Sequence, residues 1–277
     1  MNNKQILIIP DVHGRTFWKE AINKFPKNEF PNMEIIFLGD YLDPYTGYED
    51  INKEQAYDNF KEIIEVAQND ERITLLIGNH DWHYFVYLDD CRIDKLRERN
   101  IEKIFIDNIQ LFRLSKTIEI NNHKYVFSHA GITYDWLNTI RDSAKYELDQ
   151  WNFEQLSEDS SEYKWTTQIS KIDETFDFDL FEESLKHFNN RIYTSYISMI
   201  SKYRGGWYLN GSLIWADIHE HLYTNLQIPD TYQIFAHTIS YPNGQYDYYV
   251  GPFFAMLDAS QAFILNESEK IQPIEKI

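Results

Sequence analysis

Five short apolar runs, each closed by a residue able to bind a metal ion, constrain this chain more than any other feature. Gln5 to Ile9 leads into Pro10-Asp11, Glu34 to Leu38 into Gly39-Asp40, and Ile73 to Ile77 into Gly78-Asn79. Lys124 to Phe127 leads into Ser128-His129, and Gln233 to Ala236 into His237. Unbroken apolar runs of this length read as strands buried on both faces, because a strand with one wet face would alternate. A polar residue then lies at the carboxyl end of each strand, which is where open α/β sheets bind their ligands.

The segments between the first runs read as helices. Arg15 to Phe25 is the first. Asn52 to Asn69 is the second, with Ala56, Phe60, Ile63, Ile64 and Ala67 on one face. Asn52 caps it, and Gln55 three residues on completes a capping box. The order β-α-β-α-β predicts a parallel sheet. From Tyr134 to Tyr203 the pattern turns mostly helical, and Arg141 to Lys186 carries 13 acidic against 5 basic residues. That run reads as a solvated face. Its aromatics (Tyr146, Trp151, Phe153, Tyr163, Trp165) read mainly as core. From Tyr232 to Leu265 short strands return, with a turn at Pro242-Asn243-Gly244. The whole, residues 1–277, is expected to be one domain carrying a helical insertion at about 134–203.

Charge narrows the partners. A formal net charge of −18 repels nucleic acid phosphates, so no nucleic-acid binding is expected. A phosphate-bearing substrate would need a strong local positive centre, and divalent ions supply one. The single cysteine, Cys91, allows no intrachain disulfide and no thiolate-rich zinc site. No run approaches the ~20 apolar residues of a membrane span, and no secretory pattern follows Met1. The expected setting is cytoplasmic, without a membrane partner.

The donors Asp11, His13, Asp40, Asn79, His129 and His237 are hard oxygens and imidazoles. They suit manganese first, with iron, zinc or magnesium as alternatives. Taken singly, Asp11 is equally a helix cap, Asn79 a turn residue, and each His a buried structural residue. The constellation is what favours metal binding. Two ions ~3.5–4 Å apart clamp the attacking and leaving oxygens of a phosphoryl transfer. Such a pair needs a bridging carboxylate and ligands from several strand ends.

Asp11-Val12-His13-Gly14, Gly39-Asp40-Tyr41-Leu42-Asp43, Gly78-Asn79-His80-Asp81, His129-Ala130-Gly131 and Ala236-His237-Thr238 resemble, in order, the motifs of the calcineurin-like metallophosphoesterases. Thr238-Ile239 after His237, without a second His, resembles the phosphoprotein-phosphatase branch. Trp215-Ala216-Asp217 resembles an element of that branch. The segments 78–83 and 129–136 are similar to those of symmetric diadenosine tetraphosphate hydrolases, which sit in it beside bacterial and phage serine/threonine phosphatases.

The resemblance implies a four-layer α-β-β-α sandwich of mixed sheets, an α/β (α+β) fold. It implies a first metal on Asp11, His13 and Asp40, and a second on Asp40, Asn79, His129 and His237, with Asp40 bridging. It also implies a hydroxide between the metals as nucleophile, His80 as general acid, and Asp43 orienting His80. The family reading is hydrolysis of phosphate esters, by a phosphomonoesterase acting on a small molecule, nucleotide or phosphopeptide. The alternative is a dinucleoside polyphosphate hydrolase, and a remote one is a binding scaffold without activity.

One departure stands out. The branch carries Arg-Gly after the residue matched by Asp43, and that Arg grips phosphate; this chain has Pro44-Tyr45. Arg15, next to the first turn, and Arg204, before Gly205-Gly206, are the expected replacements, with Arg92 third. Trp215 and Asp217 read as site wall, with Asp217 able to hold a ligand imidazole. His83 reads as packing or surface. His219 and His221, two apart, do not share a helix face and do not read as a metal pair.

Overall fold

The computed structural model describes residues 5–45, 50–86, 92–150, 157–172, 179–182, 185, 191–222, 228–238 and 248–274. The first apolar run forms β1 (Ile6–Ile9), with every side chain fully buried. Neighbouring side chains leave a strand on opposite faces. Leu7 and Ile9 therefore enter one apolar core, and Ile6 and Ile8 another. β2 (Glu34–Phe37) and β3 (Ile73–Leu76) divide the same way: Ile35, Phe37 and Leu75 join the first core, Ile36 and Leu76 the second. Each fully buried Ile or Leu contributes roughly 1.5–3 kcal/mol, so strands of four residues suffice here.

β1, β2 and β3 pair in parallel, as the βαβαβ order predicts. β4 (Phe112–Arg113) adds to β3. On the other edge β10 (Phe263–Leu265) runs antiparallel to β1, with β11 (Ile271–Pro273) outside it. The second sheet follows the order β5 (Ser115–Ile120), β6 (His123–Ser128), β7 (Thr231–Phe235), β9 (Phe254–Met256), β8 (Tyr249–Val250). Both sheets are mixed. Ile118, Phe127, Ile234 and Ala255 meet Ile6, Ile8 and Ile36 in the dry layer between them.

Helices cover the outer faces. α1 (Phe17–Asn23), α2 (Lys53–Asn69) and α4 (Glu98–Asp107) supply Trp18, Phe60, Ile63, Ile101 and Phe105 to the core that holds Leu7 and Phe37. α9 (Ile218–Leu222) packs Ile218 against Phe235, Phe254 and Met256 on the far side of the second sheet. The layers run helix, sheet, sheet, helix.

α2 starts with the expected capping box: Asn52 Oδ1 accepts from Gln55 N, and Gln55 Oε1 from Asn52 N, both at 2.9 Å. Its expected apolar face is buried, together with Asn59, which the pattern did not place inside. Asn59 bridges the first two helices, accepting from Trp18 Nε1 and donating to Arg15 O, each at 3.1 Å. α1 is shorter than the expected 15–25. Gly14 holds a left-handed turn (φ 79°) at the front, and Pro26 cannot extend the helix behind.

The middle stretch is helical where described: α5 (Tyr134–Asp149), α6 (Ser161–Ile169), α7 (Asp179–Glu182) and α8 (Arg191–Ile197). Thr133 and Ser160 cap the first two of these by accepting from Trp136 N and Tyr163 N. Trp136 and Trp165 are buried, whereas Tyr146 is exposed. Trp151, Phe153, Cys91 and the Pro242-Asn243-Gly244 turn lie outside the described residues. Among the described residues no helix is long and apolar enough to cross a membrane.

Candidate metal centre

Three of the five donor-bearing turns, those after β1, β2 and β7, bend sharply. His13 (φ 43°), Asp40 (φ 52°), Asp43 (φ 59°) and His237 (φ 67°) all adopt left-handed backbone. That conformation costs roughly 1–2 kcal/mol for each residue with a Cβ, and here it clusters at one site. The turns after β2 and β3 touch. A Cβ on Gly39 would come within 2.4 Å of Gly78 N, and one on Gly78 within 2.1 Å of Asp40 Oδ1. Only glycine at both positions permits that approach. The buried Asp81 carboxylate then sews the turns together, accepting from Asp40 N at 2.7 Å, Tyr41 N at 3.0 Å and Gly78 N at 2.9 Å.

The six expected donors converge. Two buried groups, Asp11-His13-Asp40 and Asp40-His129-His237, each gather their donor atoms within 4.8 Å, and Asp40 is common to both. Asn79 joins the second, its Oδ1 lying 3.0 Å from His129 Nε2. His129 Nε2 is also 3.0 Å from His237 Nδ1 and 3.6 Å from Asp40 Oδ2. His13 Nε2 is 3.5 Å from Asp40 Oδ2.

The donor chemistry fits divalent ions. His129 Nδ1 donates to Leu38 O at 2.8 Å, and His13 Nδ1 to Leu42 O at 3.0 Å. Each bond fixes a tautomer with a bare Nε2 turned into the cluster. Asn79 Oδ1 and His129 Nε2 then face each other as two acceptors with no hydrogen between them. A cation held by both atoms would satisfy that contact. His13 Nε2 and His237 Nε2 are buried and make no hydrogen bond among the described residues. Burial holds the imidazoles of His13 and His237 well below the ordinary histidine range, and that of His129 below it too. They are therefore neutral, the form that ligates. Burial, together with Asp258 and Asp40, pushes Asp11 well above the carboxylate range. Crowded carboxylates of this kind are what a bound dication relieves.

His80 and Asp43 sit beside the cluster, both buried. His80 N donates to Asp40 Oδ1 at 2.9 Å, so the turn that carries His80 is tied to the shared carboxylate. His80 Nδ1 meets Asp43 Oδ2 at 3.1 Å, and Tyr84 O–H donates to Asp43 Oδ1 at 2.8 Å. Both Asp43 oxygens are thus engaged. The His80 ring is locked with Nε2 pointing away from Asp43.

The arginines depart from expectation. Arg15 is buried; Nε donates to Val12 O and Nη2 to Asp11 O, each at 3.0 Å, and Nη1 contacts Ser260 Oγ. It clamps the turn that carries Asp11 and His13. Arg204 holds the opposite turn. Its Nη2 donates to His237 O at 3.0 Å, while Nε pairs with Asp217 Oδ2 at 2.9 Å. About a quarter of its side chain (26%) stays exposed. Asp217 therefore binds Arg204, and His219 Nδ1 at 2.5 Å, in place of a ligand imidazole. His83 stands between the His80 and Trp215 rings, at 5.8 and 5.7 Å. His221 is buried behind the site, with Nε2 donating to Ala130 O at 3.1 Å.

Asp258 was missed. It is buried near Asp11 and Arg15, and burial pushes it up to about 6. Its signal was present: Phe253 to Leu257 is a sixth apolar run closed by an acid. Tyr84 and Asp81 were missed as well. Each works through a contact that only the folded turns create.

The family profile described as calcineurin-like phosphoesterase matches residues 4–241. No curated protein matches the chain in sequence. Among solved structures, similarity is found to Yfce, a phosphoesterase from E. coli, at 11% identity and a TM-score of 0.28. That alignment covers 46% of this chain, which spans 57% of the E. coli protein. A protein serine/threonine phosphatase from Saccharomyces cerevisiae, with similarity to human phosphatase PP5, aligns at 12% identity and a TM-score of 0.47. It covers 100% of this chain and 81% of its own.

Proposed function

The chain belongs to the calcineurin-like phosphoesterases, metal-dependent phosphoester hydrolases, and from that premise we propose that it is a phosphomonoesterase of the phosphoprotein-phosphatase branch. One observation carries the reading: two buried donor groups share Asp40. In this proposal Asp11, His13 and Asp40 hold one ion, and Asp40, Asn79, His129 and His237 the other. Manganese is proposed first, and donors of oxygen and imidazole without thiolate suit iron, zinc or magnesium as well. Held there, two divalent ions would neutralise phosphate charge and would lower the pKa of water enough to supply a nucleophile.

The chain's own residues do the rest. His80 donates a proton from Nε2 to the departing ester oxygen, as general acid. Asp43 accepts from His80 Nδ1, fixes the ring, and steadies the positive charge the ring carries while protonated. Tyr84 O–H, at 2.8 Å from Asp43, holds that carboxylate in turn. Arg204 remains a phosphate contact in this scheme, since part of it is exposed beside the His237 turn. A single domain with an inserted helical segment at 134–203, in a cytoplasmic setting, belongs to the same proposal.

A second reading, hydrolysis of a dinucleoside polyphosphate, is favoured by one feature. Trp207 is 97% and Tyr203 51% exposed on the segment that carries Arg204, and exposed rings stack on bases. Assay of the chelated and Mn²⁺-reloaded enzyme on para-nitrophenyl phosphate, a phosphopeptide and diadenosine tetraphosphate separates the two. Turnover of the monoesters with slow cleavage of the dinucleotide is the expected result. Preference for the dinucleotide selects the second reading. Absence of turnover on all three, with no metal bound by elemental analysis, leaves only a binding scaffold.

A further inference from the structure

The two sides of the donor cluster are walled differently. On the His80 side stands Arg92, whose guanidinium contacts His80 Nε2 and lies over the Tyr45 ring, 4.1 Å from its centroid. On the His237 side stands a loop of which the monoesterase scheme uses only Arg204. Its segment 203–209 exposes four large apolar side chains: Trp207 (97%), Leu209 (71%), Tyr203 and Tyr208. Elsewhere among the described residues no stretch of seven exposes more than two. Single exposed apolar residues are ordinary, whereas a cluster marks a surface that something covers.

The loop is held, so the exposure is built in. Lys202 N donates to Tyr208 O at 2.8 Å, Tyr208 N to Ile200 O at 3.3 Å, and Gly206 N to Ser201 O at 2.9 Å. Gly205 turns the chain with left-handed backbone (φ 81°), and a Cβ on Gly206 would come within 2.1 Å of Ile200 O. At its base Arg204 reaches His237 O and Asp217. Trp207 follows Arg204 by three residues, a span of at most ~11 Å. A pinned loop therefore carries a bare indole close to the metal donors.

Charge and ring geometry indicate what covers it. Residues 200–211 include Lys202 and Arg204 and no acid, in a chain of net charge −18. Arg204 is paired inward with Asp217, and Lys202 is exposed. A second copy of this chain would bring −18 of like charge to the contact, whereas an acidic, phosphorylated partner is drawn to an acid-free stretch. One face of the Tyr203 ring is covered by His219, with centroids 5.5 Å apart at 19°, and Lys202 Nζ lies 5.3 Å from the same centroid. Tyr203 and Trp207 therefore do not form an open pair of rings that could clamp a base. The surface left over is of the kind that seats the side chains of a polypeptide, with an indole as its anchor.

Resting on the phosphoesterase reading, we infer that segment 203–209 is a docking surface for the polypeptide that carries the phosphate. Trp207 seats an apolar side chain of that polypeptide, about three to five residues from the phosphorylated one, since an extended chain advances ~3.3–3.6 Å per residue. Because the loop is pinned before the partner arrives, little ordering cost is added on binding. The loop thus selects substrates by a side chain remote from the reacting bond.

The test is steady-state kinetics of the Mn²⁺-loaded full chain on phosphoserine peptides. Each peptide carries one Phe, placed from two to seven residues before or after the phosphoserine, and p-nitrophenyl phosphate serves as the reference. The wild type should show its lowest KM with Phe about three to five residues away on one side. Trp207→Ala should flatten that series, lowering kcat/KM for the best peptide ~10- to 30-fold relative to the reference, chiefly through KM, the range for a lost tryptophan anchor. Trp207→Phe should recover part of the preference. A wild type indifferent to the Phe position, or a Trp207→Ala chain that keeps the preference, overturns the inference. A loss confined to diadenosine tetraphosphate overturns it in favour of base stacking. A wild-type dimer in sedimentation that Trp207→Ala dissociates overturns it in favour of a second copy. All three leave the phosphoesterase reading standing, whereas a wild type that turns over no ester, the reference included, removes that reading and the docking surface with it.

Discussion

The site has a floor and a rim, and they are built differently. The floor is the set of six donors, delivered by turns that follow β1, β2, β3, β6 and β7. Asp11 and His13 share the turn after β1, the other four donors follow one strand each, and main-chain bonds such as His13 Nδ1 to Leu42 O set the imidazoles. The rim is Tyr45 and Arg92, which stand on loops, and Arg204, which closes a short 3-10 helix (Lys202–Arg204). A floor residue is placed by the strand that precedes it, and its ring is then set from another turn. A rim residue is fixed by what happens to fold beside it. The floor therefore follows an ordered motif, whereas the rim can be re-sourced from another segment while the chemistry underneath stays the same.

The sharpest test of the floor is Asp40→Asn. Elemental analysis should show both metals lost together, with an activity loss exceeding that of any rim variant. Loss of one ion alone would show that the two donor groups are independent. His80→Ala comes next and lies at the boundary. It should keep both metals and lose ~10²–10⁴ in kcat, the range for a general acid. A drop in metal content would move His80 from the boundary into the floor.

Behind the floor, His221 offers a smaller effect. Burial pushes it down to about 4 from an ordinary 6.5. A histidine held neutral in the fold stabilises above the unfolded value, and that contribution drains away as pH falls from 6.5 toward 4. The full linkage is about 3 kcal/mol. His221→Gln should flatten the acid limb of a stability profile followed by urea unfolding. An unchanged limb would mean that His221 titrates normally. Smallest is Asn52→Ala, remote from floor and rim. It should cost about 1 kcal/mol of stability through the lost cap, with kcat and KM unmoved. A change in kcat would mean that α2 transmits strain to the Gly14 turn, which packs against Ala56.

Much of the floor was legible because it obeys a local rule. Apolar runs closed by Asp, Asn or His encode both the strand and the place where the donor must emerge. The capping box of α2 and its buried face were legible for the same reason, since period and cap are sequence-near. The same rule would have found Asp258 at the end of Phe253 to Leu257, had the last run been read like the other five. Nearness in sequence to Asp11 suggests a substrate contact for Arg15, but it says nothing of the carbonyls the guanidinium meets. In the fold its guanidinium turns back to hold Asp11 O and Val12 O. Asp217 pairs with Arg204, a partner 13 residues away that only the fold brings to it.

The amino-acid sequence by itself determined the parallel β-α-β-α-β start, the strand ends, and the residue types that gather there. Hydrophobic periodicity and turn chemistry are local, so no tertiary knowledge was needed. Only the tertiary structure decided which acceptors face each other across the cluster, and that Gly39 and Gly78 must meet without side chains. It alone brought Arg92 onto Tyr45, 47 residues away in the chain, and beside His80, 12 residues away. Contacts between loops depend on how whole layers pack, and no local pattern records them.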